Sequence, residues 1–212
     1  MIKNYREYLN ESADTELTQE QKDFLNKYAG RGTIGTWHLN QKTGLVDVKG
    51  DFNCSSQGLN SFKGVRFGHV SGDFECWGNY LTSLEGAPQS VHGYFSSENN
   101  KLTSLEGAPQ SVGGSFRCFR NNLTSLEGAP QSVGGAFLCY SNNLTSLKGF
   151  PLEIKGDIDL DPNPIWKEIE PMVRGMSDEE EKFFFKFVAS SENTDKESLE
   201  RIARSIERMR II

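Results

Sequence analysis

Apolar residues recur at fixed offsets through the middle of the chain. With Val48, Val70, Val91, Val112, Val133 and Ile154 as position zero, glycine stands at plus two every time: Gly50, Gly72, Gly93, Gly114, Gly135 and Gly156. Plus four holds Phe52, Phe74, Phe95, Phe116, Phe137 and Ile158. Plus six holds Cys54, Cys76, Cys118 and Cys139, with Ser97 and Leu160 in the other two units. Plus eleven holds Leu59, Leu81, Leu102, Leu123, Leu144 and Ile165. Zero, two, four and six share a parity, which is the period of a strand with these positions turned inward. The first step is 22 residues and the others are 21, and L-T-S-L-E-G or L-T-S-L-K-G opens at Leu81, Leu102, Leu123 and Leu144. A fixed period of this size predicts one supersecondary unit stacked on itself, because a single coil leaves both flanks bare and only neighbours cover them.

The polar positions fit that reading. Asparagine recurs at plus nine, as Asn79, Asn100, Asn121, Asn142 and Asn163. Buried at the end of a short strand, it is expected to hydrogen-bond the backbone of the next coil, whose amides a bend leaves unpaired. The plus-two glycines are expected to leave room for a turn opposite. Pro88, Pro109 and Pro130, each in E-G-A-P, suit the return turn through their fixed φ. The four cysteines read as a ladder of small buried groups with free thiols. A linear inward file does not present the convergent tetrahedral set that a metal needs.

The unit F-x-C-x-x-N-x-L-T-S-L resembles the leucine-rich repeat, L-x-L-x-x-N-x-L. Its shortness and its proline are similar to the bacterial subtype found in injected effector proteins. The string N-N-L-T-S-L-E-G-A-P at 121–130 resembles repeats of bacteriophage proteins even more closely. Glycine and cysteine stand where that family often has leucine, which is expected to flatten or narrow the coil. The predicted fold is therefore an α+β repeat: a leucine-rich-repeat-like β-solenoid of about six 21-residue coils over 48–165, capped by helices at both ends.

Caps are needed because bare solenoid ends expose core and strand edges. Thr18-Gln19-Glu20-Gln21 opens a helix to about Tyr28, closed by Gly30; with Trp37, Leu39 and Leu45 it makes an N-terminal cap, helix plus strand, over 12–47. Residues 166–212 form the other cap. There Ser177-Asp178-Glu179-Glu180 opens a helix through Phe183, Phe184, Phe187 and Val188, all expected to cover the last coil. Thr194-Asp195-Lys196-Glu197 opens a second, with Leu199, Ile202, Ala203 and Ile206 at helical spacing.

Residues 1–11 stand apart. Ile2, Tyr5, Tyr8 and Leu9 share one helical face ahead of a polar stretch. The segment, ending Leu9-Asn10-Glu11, is similar to the capsid-targeting peptide of T-even-type bacteriophage internal head proteins, although Ile2 is one residue extra. The resemblance implies cleavage by a prohead protease between Glu11 and Ser12, contact with the phage head core or scaffold through 1–11, and release with the genome into the host. A plain amphipathic terminal helix is the alternative.

Comparing the units separates scaffold from variable surface. Plus three reads Asp51, Asp73, Tyr94, Ser115, Ala136, Asp157; plus five reads Asn53, Glu75, Ser96, Arg117, Leu138, Asp159; plus seven reads Ser55, Trp77, Glu98, Phe119, Tyr140, Asp161. These odd offsets face outward, on the concave side if the resemblance holds. Trp77, Tyr94, Arg117, Phe119, Leu138 and Tyr140, with Arg120 at plus eight, are the candidate partner-binding residues, mostly types enriched at hot spots. Stacking along the ladder is the competing reading for the aromatics.

Other chemistry is thin. Asp157, Asp159, Asp161, Asn163 and Glu168 mimic calcium-loop spacing, but Pro162 stands where that loop requires glycine and the register makes the segment a strand, so an acidic outer edge is expected and no metal. His69 and His92 are expected near each other on adjacent coils, without a nucleophile or acid pattern. No phosphate loop or catalytic triad appears, so neither catalytic residues nor a cofactor are predicted. A net charge of −6 opposes nucleic acid as a main partner. No apolar run approaches a membrane span, and the N-terminus lacks the apolar core of a secretory signal. The sequence thus points to a non-enzymatic, phage-encoded protein-binding module. It would be packaged in the virion interior and then delivered to the host cytoplasm, where it binds a host protein of defence or takeover. A structural or assembly protein of the phage head is the alternative.

Overall fold

The computed structural model describes residues 16–30, 36–191 and 196–209. Helix α1 (Gln19–Tyr28) leads into a hairpin of β1 (Thr36–Asn40) and β2 (Leu45–Lys49). Short strands follow in alternation: β3 (Phe52–Asn53), β4 (Phe67–Val70), β5 (Phe74–Glu75), β6 (Ser90–Val91), β7 (Phe95–Ser96), β8 (Ser111–Val112), β9 (Phe116–Arg117), β10 (Ser132–Val133), β11 (Phe137–Leu138), β12 (Glu153–Ile154) and β13 (Ile158–Asp159). Helices α2 (Trp166–Val173), α3 (Asp178–Ser190) and α4 (Lys196–Met209) close the described chain. The strands fall into two sheets, a seven-stranded β1-β2-β4-β6-β8-β10-β12 and a six-stranded β3-β5-β7-β9-β11-β13. Every pairing is parallel except the β1–β2 hairpin. The protein is a β-solenoid: six rungs in the second sheet, hence five full turns from first to last, with flanking helices.

The even-offset run is not one strand. It breaks at plus two, where the chain turns from the first sheet into the second. The glycines there do not make room for a turn opposite. They let successive corners stack backbone on backbone: a Cβ on Gly114 would stand 2.9 Å from the carbonyl carbon of Gly93. The Gly93, Gly114 and Gly135 amides donate to the carbonyls of Gly72, Gly93 and Gly114 at 2.9, 2.8 and 2.9 Å. Alternation carries on across this corner because both sheets wrap one core.

That core is a file of rings. Phe52, Phe74, Phe95, Phe116 and Phe137 are fully buried. Successive rings lie 5.2, 5.6, 5.3 and 5.7 Å apart with planes within 12° of parallel. This is the offset stack that aromatic quadrupoles favour, imposed by the rung spacing. All four cysteines are buried and free beside it. Burial pushes the Cys54 thiol up to about 12 and those of Cys76 and Cys118 well above their ordinary value.

The asparagine ladder reaches back to the preceding coil, not on to the next. Asn121 Nδ2 donates to Ser97 O and Cys118 O, both at 3.1 Å, and its Oδ1 accepts from Leu102 N at 3.0 Å. Asn79, Asn100, Asn142 and Asn163 repeat the bridge. One amide therefore satisfies buried donors and acceptors on two rungs at once. The 22-residue first step is absorbed in β4: Val46 faces Phe67 but Val48 faces Val70, so one extra residue bulges out.

Both ends are covered. Thr18 and Gln21 cap α1 reciprocally. Ala29 bridges Phe52, Gly30 N donates to Asp51 O at 2.8 Å, and Phe24 and Tyr28 pack on Phe52 at 5.6 and 6.2 Å, which closes the first edge of the six-stranded sheet. At the far end Ser177 and Glu180 form the expected capping box of α3. Its inward face is Phe184, Phe185 and Val188, whereas Phe183 and Phe187 remain 49% and 50% exposed. The expected face is thus corrected: at about 100° per residue, three consecutive phenylalanines cannot all point inward, and Phe185 takes the place against Phe150 at 5.4 Å. Leu199, Ile202, Ala203 and Ile206 of α4 are buried as the spacing predicts. The start proposed at Thr194 and Asp195 lies outside the described residues, and so does all of 1–11. Helix α2 was not predicted; it carries Pro171, and Ile165 at its N-cap makes no side-chain cap.

Candidate binding face on the six-stranded sheet

The outward rows cover the six-stranded sheet. Plus-seven residues stack rung on rung, as Gly78 N to Glu98 O at 2.9 Å and Asn99 N to Phe119 O at 3.1 Å show. The row therefore reads Ser55, Trp77, Glu98, Phe119, Tyr140 and Asp161 along the solenoid. The plus-five row beside it is set by strand register, with Glu75 against Ser96, Ser96 against Arg117, Arg117 against Leu138 and Leu138 against Asp159.

Four of the seven candidate residues form two pairs, and three stand singly. Phe119 and Tyr140 form a parallel stack, centroids 4.3 Å apart and planes 9° apart. Their rings thus bear on each other as the ladder reading anticipates, yet both stay half-buried and keep part of their surface exposed. Arg117 lays its guanidinium over the Tyr94 ring at 4.6 Å. Leu138 is half-buried in the rung next to Arg117. Arg120 is exposed and sits at a left-handed φ of 54°, as do Ser56, Asn99 and Ser141 at the same offset. Trp77 stands apart from the Phe119 stack, with the Glu98 rung between them, and its Nε1 donates to Glu75 Oε2 at 3.1 Å. Glu11 and Ser12, the candidate processing residues, lie outside the described residues.

Carboxylates bind this face together, a role the row inventory did not assign. Glu75 also accepts from Asn53 Nδ2 at 3.0 Å and hydrogen-bonds Tyr94. Burial, then the charge and hydrogen bond of Glu75, push the Tyr94 phenol up to about 12. Asp73 Oδ1 accepts from Tyr94 N at 2.8 Å. Burial, together with the charges of Asp51 and Glu75, raises the Asp73 carboxyl above its ordinary range, against the opposing pull of the Tyr94 amide and Arg117. Glu98 is only 9% exposed, and its Oε2 accepts from Ser96 Oγ at 2.5 Å. Ser55 Oγ, at the head of the row, is the one buried side-chain oxygen or nitrogen among the described residues without a hydrogen-bond partner.

Elsewhere the surface differs. The outer face of the seven-stranded sheet carries small residues, Ser90, Ser111, Ser132, Gly113 and Gly134, around a shallow hollow bordered by His69 and His92. The two histidines are not opposite each other. The β4–β6 register, a regular 21-residue step, puts His69 across from Ser90, with Nδ1 2.9 Å from Ser90 Oγ. Asp157 and Asp161 lie exposed at the last rung, either side of β13, giving an acidic edge. Among the described residues no three histidine, cysteine, aspartate or glutamate side chains converge as a metal site would require, and no described helix is long and apolar enough to cross a membrane. Between α3 and α4, Phe183, Phe187, Ile202 and Ile206 line an apolar groove of about 380 Å³. Comparison of the chain with protein-family models, with curated proteins and with solved structures finds no match.

Proposed function

We propose that the protein is a non-enzymatic binding module of a bacteriophage, packaged in the head and ejected to bind a host protein, with the outer face of the six-stranded sheet as its contact surface. One observation carries the reading. The inward offsets keep nearly the same residue types from rung to rung while the outward rows change, and the changes bring Trp77, Tyr94, Arg117, Phe119 and Tyr140 to one face. A surface free to vary on an invariant frame is how repeat proteins carry specificity. Half-exposed tryptophan, tyrosine and arginine are the side chains that most often dominate binding energy at protein interfaces. The resemblance of residues 1–11 to a capsid-targeting peptide supports the packaging half of the proposal.

The test has two arms. Mass spectrometry of purified virions is expected to find a peptide beginning at Ser12. Pull-downs from host lysate are run side by side with the native chain and with a Trp77→Ala, Tyr140→Ala double variant. The double variant is expected to fold but to lose capture by more than about tenfold, the loss seen when hot-spot side chains are truncated. Equal capture by both chains would remove this face from the proposal. Recovery of capsid or core proteins alone would favour an assembly role in the head.

A further inference from the structure

We infer that the Trp77 rung is a seat for a guanidinium, so that the partner of this face presents an arginine-bearing, net-basic protein segment. The inference rests on the binding role proposed above and names the chemistry of that partner.

Glu98 is the first reason. A carboxylate taken almost wholly out of water is costly unless a cation meets it. Glu98 is 9% exposed, yet it receives a hydroxyl from Ser96 and no described lysine or arginine forms an ion pair with it. On the other side of Trp77 in the same row, the buried Ser55 hydroxyl also lacks a partner. One neighbour of the half-exposed indole is thus a carboxylate without an ion pair among the described residues, and the other is a buried hydroxyl without a partner.

The second reason is the indole itself. Glu75 holds Trp77 through Nε1, so the ring has a fixed orientation beside a carboxylate. An indole face is the strongest cation–π acceptor among side chains. A guanidinium there would stack on the ring and offer its fork to the acids beside it, a geometry that an ammonium cannot reproduce.

The third is a precedent within the molecule. Arg117 already lies 4.6 Å over Tyr94, and the charge of Asp73 bears on it. Ring plus carboxylate plus guanidinium is therefore an arrangement this surface adopts with its own residue in one place. At Trp77 the ring and the carboxylates are present and the described chain supplies no cation.

The experiment uses the full chain and fluorescein-labelled synthetic peptides of alternating arginine and serine, with lysine and glutamate counterparts, read by fluorescence anisotropy. The arginine peptide is expected to bind, the lysine peptide severalfold more weakly, and the glutamate peptide not at all. Glu98→Gln, which keeps the shape of the side chain, and Trp77→Phe are each expected to weaken the arginine peptide about tenfold. The control pair Asp157→Asn and Asp161→Asn, on the last rung of the same face, is expected to leave it unchanged. Equal losses from Glu98→Gln and from the control pair would reduce the effect to general attraction by an acidic protein and overturn the inference. So would no binding, or equal affinity for lysine and arginine. Circular dichroism melts confirm that each variant folds. In the lysate pull-down, capture lost with Trp77→Ala and Tyr140→Ala but intact with Glu98→Gln would end this inference while leaving the binding role standing. Capture intact with both would end the binding role itself.

Discussion

Strand β9 shows two sides of one sheet in two residues. Phe116 points inward and is matched by phenylalanine on the rung before and the rung after, whereas Arg117 points outward between Ser96 and Leu138. The inner side repeats because each ring is its neighbour's packing surface: a change of size at one rung opens a void against two others. The outer side has no such neighbour rule, and a residue there is constrained only by what it meets. The outer face of the seven-stranded sheet makes the contrast sharper, since it is equally free of the core yet carries serine and glycine at rung after rung. Freedom from packing is therefore not enough to produce variety. Among the described residues, the middle rungs of the six-stranded face combine it with large aromatic side chains and charge.

The contrast can be broken by substitution. Phe116→Ala is expected to cost about 3–5 kcal/mol in denaturant unfolding, because it removes a ring from the middle of the stack. A cost near 1 kcal/mol would mean that the file is not a rigid column. Asn121→Ala strands Leu102 N and takes one of two asparagine donors from each of Ser97 O and Cys118 O, and is expected to cost about 1–3 kcal/mol by the penalty for an unpaired buried group. On the outer side, Arg117→Ala gives up a cation over a half-exposed ring and is expected to cost less than about 1 kcal/mol.

The smallest effect has the opposite sign. The fold holds the proton of Asp73 more tightly than the unfolded chain does, from an ordinary value of 3.8, so the ionised group opposes folding at neutral pH. Asp73→Asn keeps the oxygen that accepts from Tyr94 N and is expected to raise the thermal midpoint at pH 7. The gain should shrink as pH falls through the raised native value and vanish below 3.8, where both states are neutral. A variant that melts lower than the native chain at pH 7 would show that the carboxylate stabilises the face instead.

The period alone made the rungs, the phenylalanine file and the asparagine ladder legible, because each is a demand that one coil places on the next. What it did not reveal depends on angles and distances between rungs. The corner at plus two was hidden because alternation of inward residues continues straight through Gly114 although the backbone changes sheets. The 22-residue step was visible, but not that β4 would take up the extra residue as a bulge against β2. Phe183 and Phe187 were misplaced because three adjacent phenylalanines satisfy a helical stripe in more than one rotation. Helix α2 gave little sign, since it opens without a side-chain cap and contains Pro171. On the binding face, parity turned Trp77, Tyr94, Arg117, Phe119 and Tyr140 outward as found, but it assigned Ser55, Ser96 and Glu98 to the same rows, and these are buried. The pairing of Arg117 with Tyr94 and the burial of Glu98 were not legible, because the first joins side chains on adjacent rungs and the second depends on how the rows pack around it.

The bridge from each asparagine to the rung behind it has an evolutionary corollary. Every coil is fastened only to its immediate neighbours, and the stretches 102–114 and 123–135 have the same thirteen-residue sequence, L-T-S-L-E-G-A-P-Q-S-V-G-G. Excising or duplicating 21 residues between them would rejoin surfaces that already fit. The reach of the molecule is thus a copy number, adjustable by unequal recombination without inventing a single new contact.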